Sequence, residues 1–286
     1  MSEYDKLMES ISQKSEATKK SYKTQYNKLF NLTNKPIHET SEKKIIELLD
    51  EIENKNNSQA LLNISLLVRR LYGLSTKQLE KKREADKKKI FTAVKEKNVE
   101  LKKSLPTYDD IVEYMNYLWD KSEWTDYIIN YLLINFQVRN QDLDFVIVSR
   151  KRDASDKTKN YMWLQNTKKK VTYIRNVYKT AVIKTPDGHT GYGQKVDTIN
   201  DLKFLTAIRR VLGCQKSELD CGVFIPTKSA IAYHIQKATY KQLGETAYFK
   251  IIVNHFRNNI DKLKEISANR GTSLSVILTS YDIEVK

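Results

Sequence analysis

The sequence has little of what binds metals, forms disulfides or breaks helices: its 286 residues include two cysteines, four histidines, four prolines and eight glycines. Cys214 and Cys221 have no histidine partners close in sequence, so a four-ligand zinc site is not predicted. Both are interpreted as reduced thiols, with a disulfide as the alternative. The glycine-rich segment 188–193 lacks the Lys-Ser/Thr pair of a phosphate-binding loop and is interpreted as a hairpin tip. We therefore expect no metal and no cofactor.

Long apolar runs are also missing. No stretch approaches the roughly 18 to 20 apolar residues that a membrane-spanning helix needs, although hydrophobic residues make up 40% of the chain. The opening residues MSEYDKLMES carry acidic side chains where a signal peptide would carry a basic and then an apolar segment. The expectation is an intracellular protein with no membrane partner.

Positive charge is abundant. The chain has 50 Lys+Arg against 35 Asp+Glu, a formal net charge of +15, which favours a polyanionic partner. The alternative is a set of lysine-rich helices whose charges are only solvated. Residues 150–184 hold 11 Lys+Arg and two acidic residues, interleaved with tyrosine and tryptophan, a composition that suits a phosphate backbone. The candidate DNA contacts are Arg150, Lys151, Arg152, Lys168, Lys169, Lys170 and Arg175, together with Lys88 and Lys89 in the charged stretch 77–103.

The first hundred residues have the periodicity of helices almost throughout. Ser15 or Thr18 is the expected start of one helix, and Thr40 or Ser41 of the next. The stretch 77–103 is too charged in its middle to be buried on any side, so we expect it to cross solvent or lie on DNA.

Pro106 and Thr107 mark the expected domain boundary, because proline ends one helix and threonine caps another. This divides the chain into a helical domain, 1–103, and a second domain, 104–286. The predicted fold class is mainly α with a small β-sheet (α+β). The elements expected after the boundary are helices at 108–120, 124–136, 199–213 and 228–244, and strands at 144–149, 160–165 and 171–178.

Within the second domain, the stretch YLLINFQVRNQDLDFVIV places Arg139 in a polar turn between a helix and a strand. Taken alone, Arg139 fits an ordinary turn residue that salt-bridges Asp142. The whole order is more specific: helix, Arg-x-x-Asp turn, strand, a hairpin ending in VYKT, further helices, and Tyr281 near the C-terminus. This order resembles the tyrosine recombinases, the lambda-integrase-like enzymes that break and join DNA. The resemblance implies a helical core-binding (SAM-like) domain and a catalytic domain that together clamp double-stranded DNA.

The resemblance also implies roles for individual residues. Arg139, followed by Asp142 and Leu143, matches the family's R-x-x-E/D-L turn and would hold the scissile phosphate through a forked guanidinium. Lys179, in the VYKT hairpin, would be the general acid for the leaving 5′ oxygen, with Lys170, Lys184 and neighbouring lysines as competing candidates. Tyr281 follows Gly271 by the family's interval of ten residues and would be the nucleophile that forms a 3′-phosphotyrosyl link.

The sequence departs from the family at its second box. At family spacing the H-x-x-R box falls on Thr246 to Phe249, so both its histidine and its arginine are missing. Lys250, one position away, is the candidate replacement cation, with His255 and Arg257 as alternatives, although lysine lacks the fork of arginine. Thr272 stands where the family has histidine or tryptophan.

Three functions remain open on the sequence. The first is a site-specific recombinase or integrase of a virus or mobile element, acting in the nucleus or cytoplasm of a host cell as a dimer or tetramer on DNA. The second is a catalytically degenerate DNA-binding protein that keeps the recombinase fold as a clamp. The third is an unrelated basic helical protein that binds RNA or another polyanion. The remaining histidines, His38, His189 and His234, are interpreted as structural or exposed, and the three tryptophans as core or interface residues.

Overall fold

A computed structural model describes residues 1–14, 16–181, 191–214, 221–224 and 231–282. Within these ranges the chain is mainly helical with one small β-sheet, so the predicted α+β class is confirmed. The chain divides into two compact units, Met1–Glu96 and Lys97–Lys286. This boundary lies inside a long helix rather than at residue 103, and the division into two functional domains stays a prediction.

The first unit is a helical bundle. Its helices are α1 (Glu3–Ser10), α2 (Glu16–Thr33), α3 (Glu42–Asp50), α4 (Lys55–Leu71) and the first part of α5 (Lys77–Ser104). Ser41 caps α3 by accepting a hydrogen bond from the Lys44 backbone at 3.3 Å, as the sequence allowed. The expected start of α2 at Ser15 lies outside the described residues. Leu29, Ile45 and Leu62 are among the buried side chains of this bundle.

A buried carboxylate ties the start of the first unit together. Glu3 accepts hydrogen bonds from the Tyr26 hydroxyl at 3.0 Å and from the backbone N–H groups of Ile37 and His38 at 3.0 and 2.8 Å. The His38 ring also contacts Glu3 at 2.5 Å and stacks on Tyr72. His38 is therefore structural, one of the two roles expected from the sequence.

The second unit contains the rest of α5, seven further helices and the sheet in its described part. The helices are α6 (Tyr108–Asp120), α7 (Trp124–Phe136), α8 (Leu202–Cys214), α9 (Ile231–Ala238), α10 (Glu245–His255), α11 (Ile260–Arg270) and α12 (Leu274–Ser280). The predicted bounds of α6 and α7 are confirmed. Thr107 caps α6 through a reciprocal pair of hydrogen bonds with Asp110.

Five strands form one sheet in the order β4-β3-β2-β1-β5. They are β1 (Phe145–Val148), β2 (Asn160–Gln165), β3 (Lys170–Arg175), β4 (Lys195–Ile199) and β5 (Cys221–Val223). The β1 and β2 pair is parallel, and the other neighbours are antiparallel. The sequence did not predict β4 or β5. The β3 and β4 pair matters most here, because its register sets Lys195 opposite Arg175.

Helix α7 is the centre of the second core. Ile128, Leu132 and Leu133 are buried, and the helix packs against α6, α8, α9 and α10. Trp119 and Trp124 pack partly buried against the same core, as expected of them. Lys184, His189 and the tail after Asp282 lie outside the described residues, as do both cysteine side chains and with them the predicted thiol state. Among the described residues no helix is long and apolar enough to span a membrane.

Candidate functional site

A short turn formed by Arg139 and Asn140–Leu143, called the arginine turn below, follows directly after the end of α7. Gln137 ends the helix in the left-handed conformation, with φ 47°, and Arg139 then begins a short 3-10 turn over Asn140–Leu143. The Asp142 carboxylate accepts a hydrogen bond from the Arg139 backbone N–H at 3.0 Å, and the Asp142 carbonyl accepts one from the Tyr173 hydroxyl at 2.7 Å. Asp142 therefore orients the turn. Burial raises the pKa of its carboxyl.

One nitrogen of the Arg139 guanidinium is hydrogen-bonded to the protein. Its Nη1 donates to the Arg270 carbonyl at 2.6 Å, and its Nε and Nη2 have no protein acceptor within the part of the chain that the structure describes. Burial lowers the pKa of Arg139, as does the charge of Arg270, while Asp142, Glu245 and Tyr281 act in the opposite direction. The guanidinium stays charged across the physiological range. It presents its remaining N–H donors as a fork from a half-buried position.

Arg270 supports this turn from beneath. It is 4% exposed, and its Nη1 donates to the carbonyls of Gln137 and Val138 at 3.1 and 2.8 Å. Its Nη2 is paired with Glu245, whose other carboxylate oxygen accepts from the Asn140 backbone at 3.0 Å. Arg270 is thus a buried brace of the arginine turn. No sequence motif indicated this role for Arg270.

Gly271 lies where the end of α11 meets the segment after β3. Its φ is 61°, and a Cβ there would lie 2.5 Å from Thr180 Oγ1 and 3.2 Å from Lys195 Nζ. Its carbonyl accepts a hydrogen bond from Thr180 at 2.9 Å. Glycine is required here both by the backbone conformation and by the close approach of two side chains.

Lys195, on β4, is the residue that sequence reasoning missed. Its ammonium donates to the carbonyls of Ala268 and Asn269, the latter at 3.0 Å, at the C-terminal end of α11. Burial lowers its pKa to about 8, and the charges of Arg175 and Arg139 act in the same direction. A lysine that titrates this close to neutrality, beside the arginine turn, is suited to proton transfer.

Lys179 lies at the edge of this site rather than inside it. Its neighbours Tyr178 and Thr180 both approach Gly271, and the Tyr178 hydroxyl donates to the Gly193 carbonyl at 2.6 Å. The Lys179 side chain itself is exposed. The segment that carries Lys179 therefore reaches the site, while the lysine held within it is Lys195.

Tyr281 caps the C-terminal end of α12. Its half-buried ring meets the Phe249 ring edge-on, with centroids 4.7 Å apart. It lies close enough to Arg139 for its charge to raise the pKa of that arginine. Phe249 lies where the resemblance to tyrosine recombinases would place an arginine, and its ring contacts Tyr281 there.

Lys250, the predicted replacement cation, is engaged elsewhere. Its ammonium donates to Asn98 Oδ1 at 2.6 Å. Burial lowers the pKa of Lys250, and Lys97 lowers it further. His255 and Arg257, the alternatives to Lys250, also contact protein groups. The His255 ring stacks on Tyr108, and Arg257 pairs with Asp282 at 3.2 Å.

Arg175 was predicted to contact DNA, and that prediction is wrong. The side chain is 1% exposed, with Nη2 bonded to Asp197 at 2.8 Å and Nη1 to the Asn269 carbonyl at 3.2 Å. It faces inward because Val171 and Tyr173, at alternate positions of β3, are buried on the same face. Arg175 holds the sheet to the end of α11.

The other candidate DNA contacts are at the surface. Arg150, Lys151, Arg152, Lys168 and Lys169 are exposed, and Lys170 is half-exposed. Asp153 pairs with Arg150 at 3.4 Å and with Arg152 at 3.8 Å, which holds two of these charges in one short turn. Lys88 and Lys89 are exposed on α5 in the first unit. The described residues include no group of three or more His, Cys, Asp or Glu side chains that could hold a metal ion.

The chain was compared with protein-family models, curated proteins and solved structures. No protein-family model and no curated protein matches the chain. Among solved structures, it is similar to one described as "Crystal structure of XerA recombinase", at 12% identity over 99% of this chain and 94% of that chain, with a TM-score of 0.38.

Proposed function

We propose that this protein is a site-specific DNA recombinase or integrase that cleaves and rejoins duplex DNA through a 3′-phosphotyrosyl intermediate on Tyr281. The observation that carries the proposal is that Arg139, Lys195 and Tyr281 all lie around the C-terminal end of α11. Arg139 donates to the Arg270 carbonyl at 2.6 Å, and Lys195 donates to the carbonyl of the preceding residue at 3.0 Å. The Tyr281 ring and the Arg270 guanidinium contact the same Phe249 ring, at 4.7 and 4.4 Å from its centroid. We further propose that two to four protomers act on paired DNA sites in the nucleus or cytoplasm of a host cell.

The chemistry assigned to these residues balances as a transesterification. The Tyr281 oxygen forms a bond to phosphorus and loses its proton to solvent, while the bond from phosphorus to the 5′ oxygen breaks. Arg139 donates N–H groups to the non-bridging oxygens and stabilises their growing charge. The reverse attack by a 5′ hydroxyl restores the phosphodiester, so the step needs no oxidant, reductant or nucleotide.

Lys195 replaces Lys179 as the proposed proton donor to the leaving 5′ oxygen. A pKa of about 8 leaves it mostly protonated at neutral pH and makes it a better acid than an ordinary lysine. An exposed lysine such as Lys179 is better suited to contact the DNA backbone nearby.

The charges of the site favour an anion. Arg139, Arg175, Arg270 and Lys195 give four positive charges, and Asp142, Glu245 and Asp197 give three negative ones, a net charge of one before DNA binds. A phosphodiester brings one negative charge and so neutralises this cluster. The exposed basic groups of residues 150–152 and 168–170 would supply the surrounding contacts to the backbone.

A DNA-binding protein that has lost catalysis is the second candidate. Its support comes from the segment that corresponds to the H-x-x-R box. Phe249 lies at the position of the arginine of that box, and the nearby Lys250 is hydrogen-bonded to Asn98. Loss of one preorganised donor typically slows a reaction by about a hundred- to thousandfold. The recombinase reading therefore predicts slow chemistry, and the binding reading predicts none.

A covalent-trap assay distinguishes these candidates. Wild type, Tyr281→Phe and the control Tyr117→Phe, which removes an exposed hydroxyl on α6, are incubated with duplex DNA and then denatured. We expect a DNA-linked adduct from wild type and from Tyr117→Phe, mapped by peptide mass to Tyr281, and none from Tyr281→Phe. Equal binding of duplex DNA by all three proteins with no adduct from any would support the clamp, and no preference for duplex DNA would reject both readings.

A further inference from the structure

Asn98, in the part of α5 that belongs to the second unit, is a buried amide with two partners in that same unit. It is 2% exposed. Its Oδ1 accepts a hydrogen bond from Lys250 Nζ at 2.6 Å, and its Nδ2 donates to the Ser280 carbonyl at 3.4 Å. Ser280 is the last residue of α12 and precedes Tyr281. One side chain therefore connects α10 to the peptide next to the proposed nucleophile.

An amide at this position needs an explanation, because burying one costs free energy unless both its donor and its acceptor are satisfied. Asn98 meets that condition with two different elements rather than with its own helix. An apolar side chain of similar size would fill the space without this requirement. The amide adds direction, since it fixes where Lys250 and the Ser280 carbonyl lie relative to each other.

The other described contacts close to Tyr281 are a pair between Asp282 and Arg257 at 3.2 Å on its C-terminal side, and the packing of α12 and of its own ring. Helix α12 has seven residues, too few to be stable without packing. Ile277 is its only residue that is fully buried in the described structure, while Val276 and Leu278 are exposed. The Tyr281 ring itself rests on Phe249, which is adjacent to Lys250 on α10. Two neighbouring residues of α10 thus act on the same end of α12, one through ring packing and one through Asn98.

We propose that Asn98 and Lys250 are positioning residues that hold the backbone at Tyr281 for attack on the phosphate. Lys250 then acts through Asn98 and is not the replacement for the missing arginine. This inference rests on the proposed function for its catalytic consequence. The link between Asn98 and the end of α12 can be tested independently of catalysis.

The test compares Asn98→Leu, Asn98→Asp, Lys250→Met and the double variant Asn98→Leu/Lys250→Met. Asn98→Asp keeps an acceptor for Lys250 and loses the donor to Ser280. Asn135→Leu and Lys264→Met, both at exposed positions, are the matched controls. Three quantities are measured: the dissociation constant for duplex DNA, the single-turnover rate of adduct formation, and amide hydrogen exchange in the segment 274–282.

We expect duplex affinity within twofold of wild type for all variants. The adduct rate should fall about 10- to 100-fold for Asn98→Leu and Lys250→Met, and the double variant should fall no further, because the two residues form one unit. Asn98→Asp should be slow as well, since it breaks the bond to Ser280. Hydrogen exchange at 274–282 should accelerate in the same variants and stay at the wild-type rate in the controls.

Multiplying effects in the double variant would overturn the proposal, as would a loss of duplex affinity that accompanies the loss of rate for Lys250→Met. The second result would make Lys250 a phosphate contact. If wild type forms no adduct, the proposed function fails and hydrogen exchange alone decides the link. Unchanged exchange in Asn98→Leu would then reject the positioning role as well.

Discussion

The two halves of the candidate site are held in very different ways. The arginine turn rests on buried, mutually paired groups: Asp142 orients its backbone, and Arg270 and Glu245 brace it from beneath. Tyr281 is half-buried at the end of a short helix, with one ring contact to Phe249 and a hydrogen-bonded neighbour on each side, Ser280 and Asp282. Under the proposed function, the part that would bind the phosphate is preorganised, while the proposed nucleophile depends on a few contacts. A side chain that has to move onto DNA and off again would be well served by the weaker arrangement.

The largest expected effect concerns Lys195, which belongs to the rigid half. Lys195→Met should reduce the rate of adduct formation by about a hundred- to ten-thousandfold, because the leaving oxygen loses its proton donor. The wild-type rate should fall as pH rises above about 8, where Lys195 loses its proton, and the variant should lack that decline. The measurement is single-turnover cleavage from pH 6 to 10.

A modified substrate controls for misfolding of this variant. A leaving sulfur in place of the 5′ oxygen needs little protonation, since thiols ionise near pH 8.5. Such a substrate should restore most of the lost rate to Lys195→Met. If it does not, while Lys179→Met shows the loss and the rescue instead, then the proton donor is the exposed lysine and the assignment to β4 is wrong.

A substitution at Glu245 measures how much the buried pair of Glu245 and Arg270 stabilises the arginine turn. Glu245→Gln leaves the buried Arg270 charge without its partner, so it should lower the free energy of unfolding by about 3 to 5 kcal/mol. Glu265→Gln is the matched control, because its pair with Lys262 is exposed and worth about 0.2 to 1 kcal/mol. Urea denaturation followed by circular dichroism measures both. Equal losses in the two variants would mean that Arg270 finds other partners and that the brace is not needed.

A substitution at Gly271 measures how tightly the end of α11 packs against the segment after β3. Gly271→Ala should cost about 1 to 3 kcal/mol, because its backbone has φ 61° and its Cβ would meet Thr180 Oγ1 at 2.5 Å. Gly213→Ala, in α8, is the control: nothing lies within 4 Å of its Cβ, so alanine there should be neutral or stabilising by up to about 1 kcal/mol. Thermal unfolding distinguishes the two. A neutral Gly271→Ala would show that this turn can relax.

The features that the sequence predicted are those fixed by local patterns. The bounds of α6 and α7 follow from apolar periodicity and the Thr107 cap. Asp142 orients its turn through a hydrogen bond to a residue only three positions away, a contact as local as the Arg-x-x-Asp pattern itself.

The features that the sequence missed depend on tertiary pairing. Lys195 could not be assigned to the site from the sequence, because its segment is short and polar and gives no strong strand pattern. Its position in the site follows from the pairing of β4 with β3. Arg175 was misjudged because charge does not tell which face of a strand a residue occupies. Asn98 lies in a charged helix and has partners 152 and 182 residues away, which no local pattern reveals.

The smallest expected effect belongs to the exposed side of α12 and sharpens the contrast between the two halves. Leu278 is 41% exposed, so Leu278→Ala should change the free energy of unfolding by less than about 0.5 kcal/mol and the adduct rate by less than about twofold. Ile277→Ala, at a buried neighbouring position, should lower stability by about 2 to 5 kcal/mol and serves as the comparison. Chemical denaturation and the covalent-trap assay measure the two quantities on the same samples. If Leu278→Ala keeps its stability and loses its activity, then this face of α12 is covered during the reaction, and Tyr281 is held by more than the contacts of its own chain.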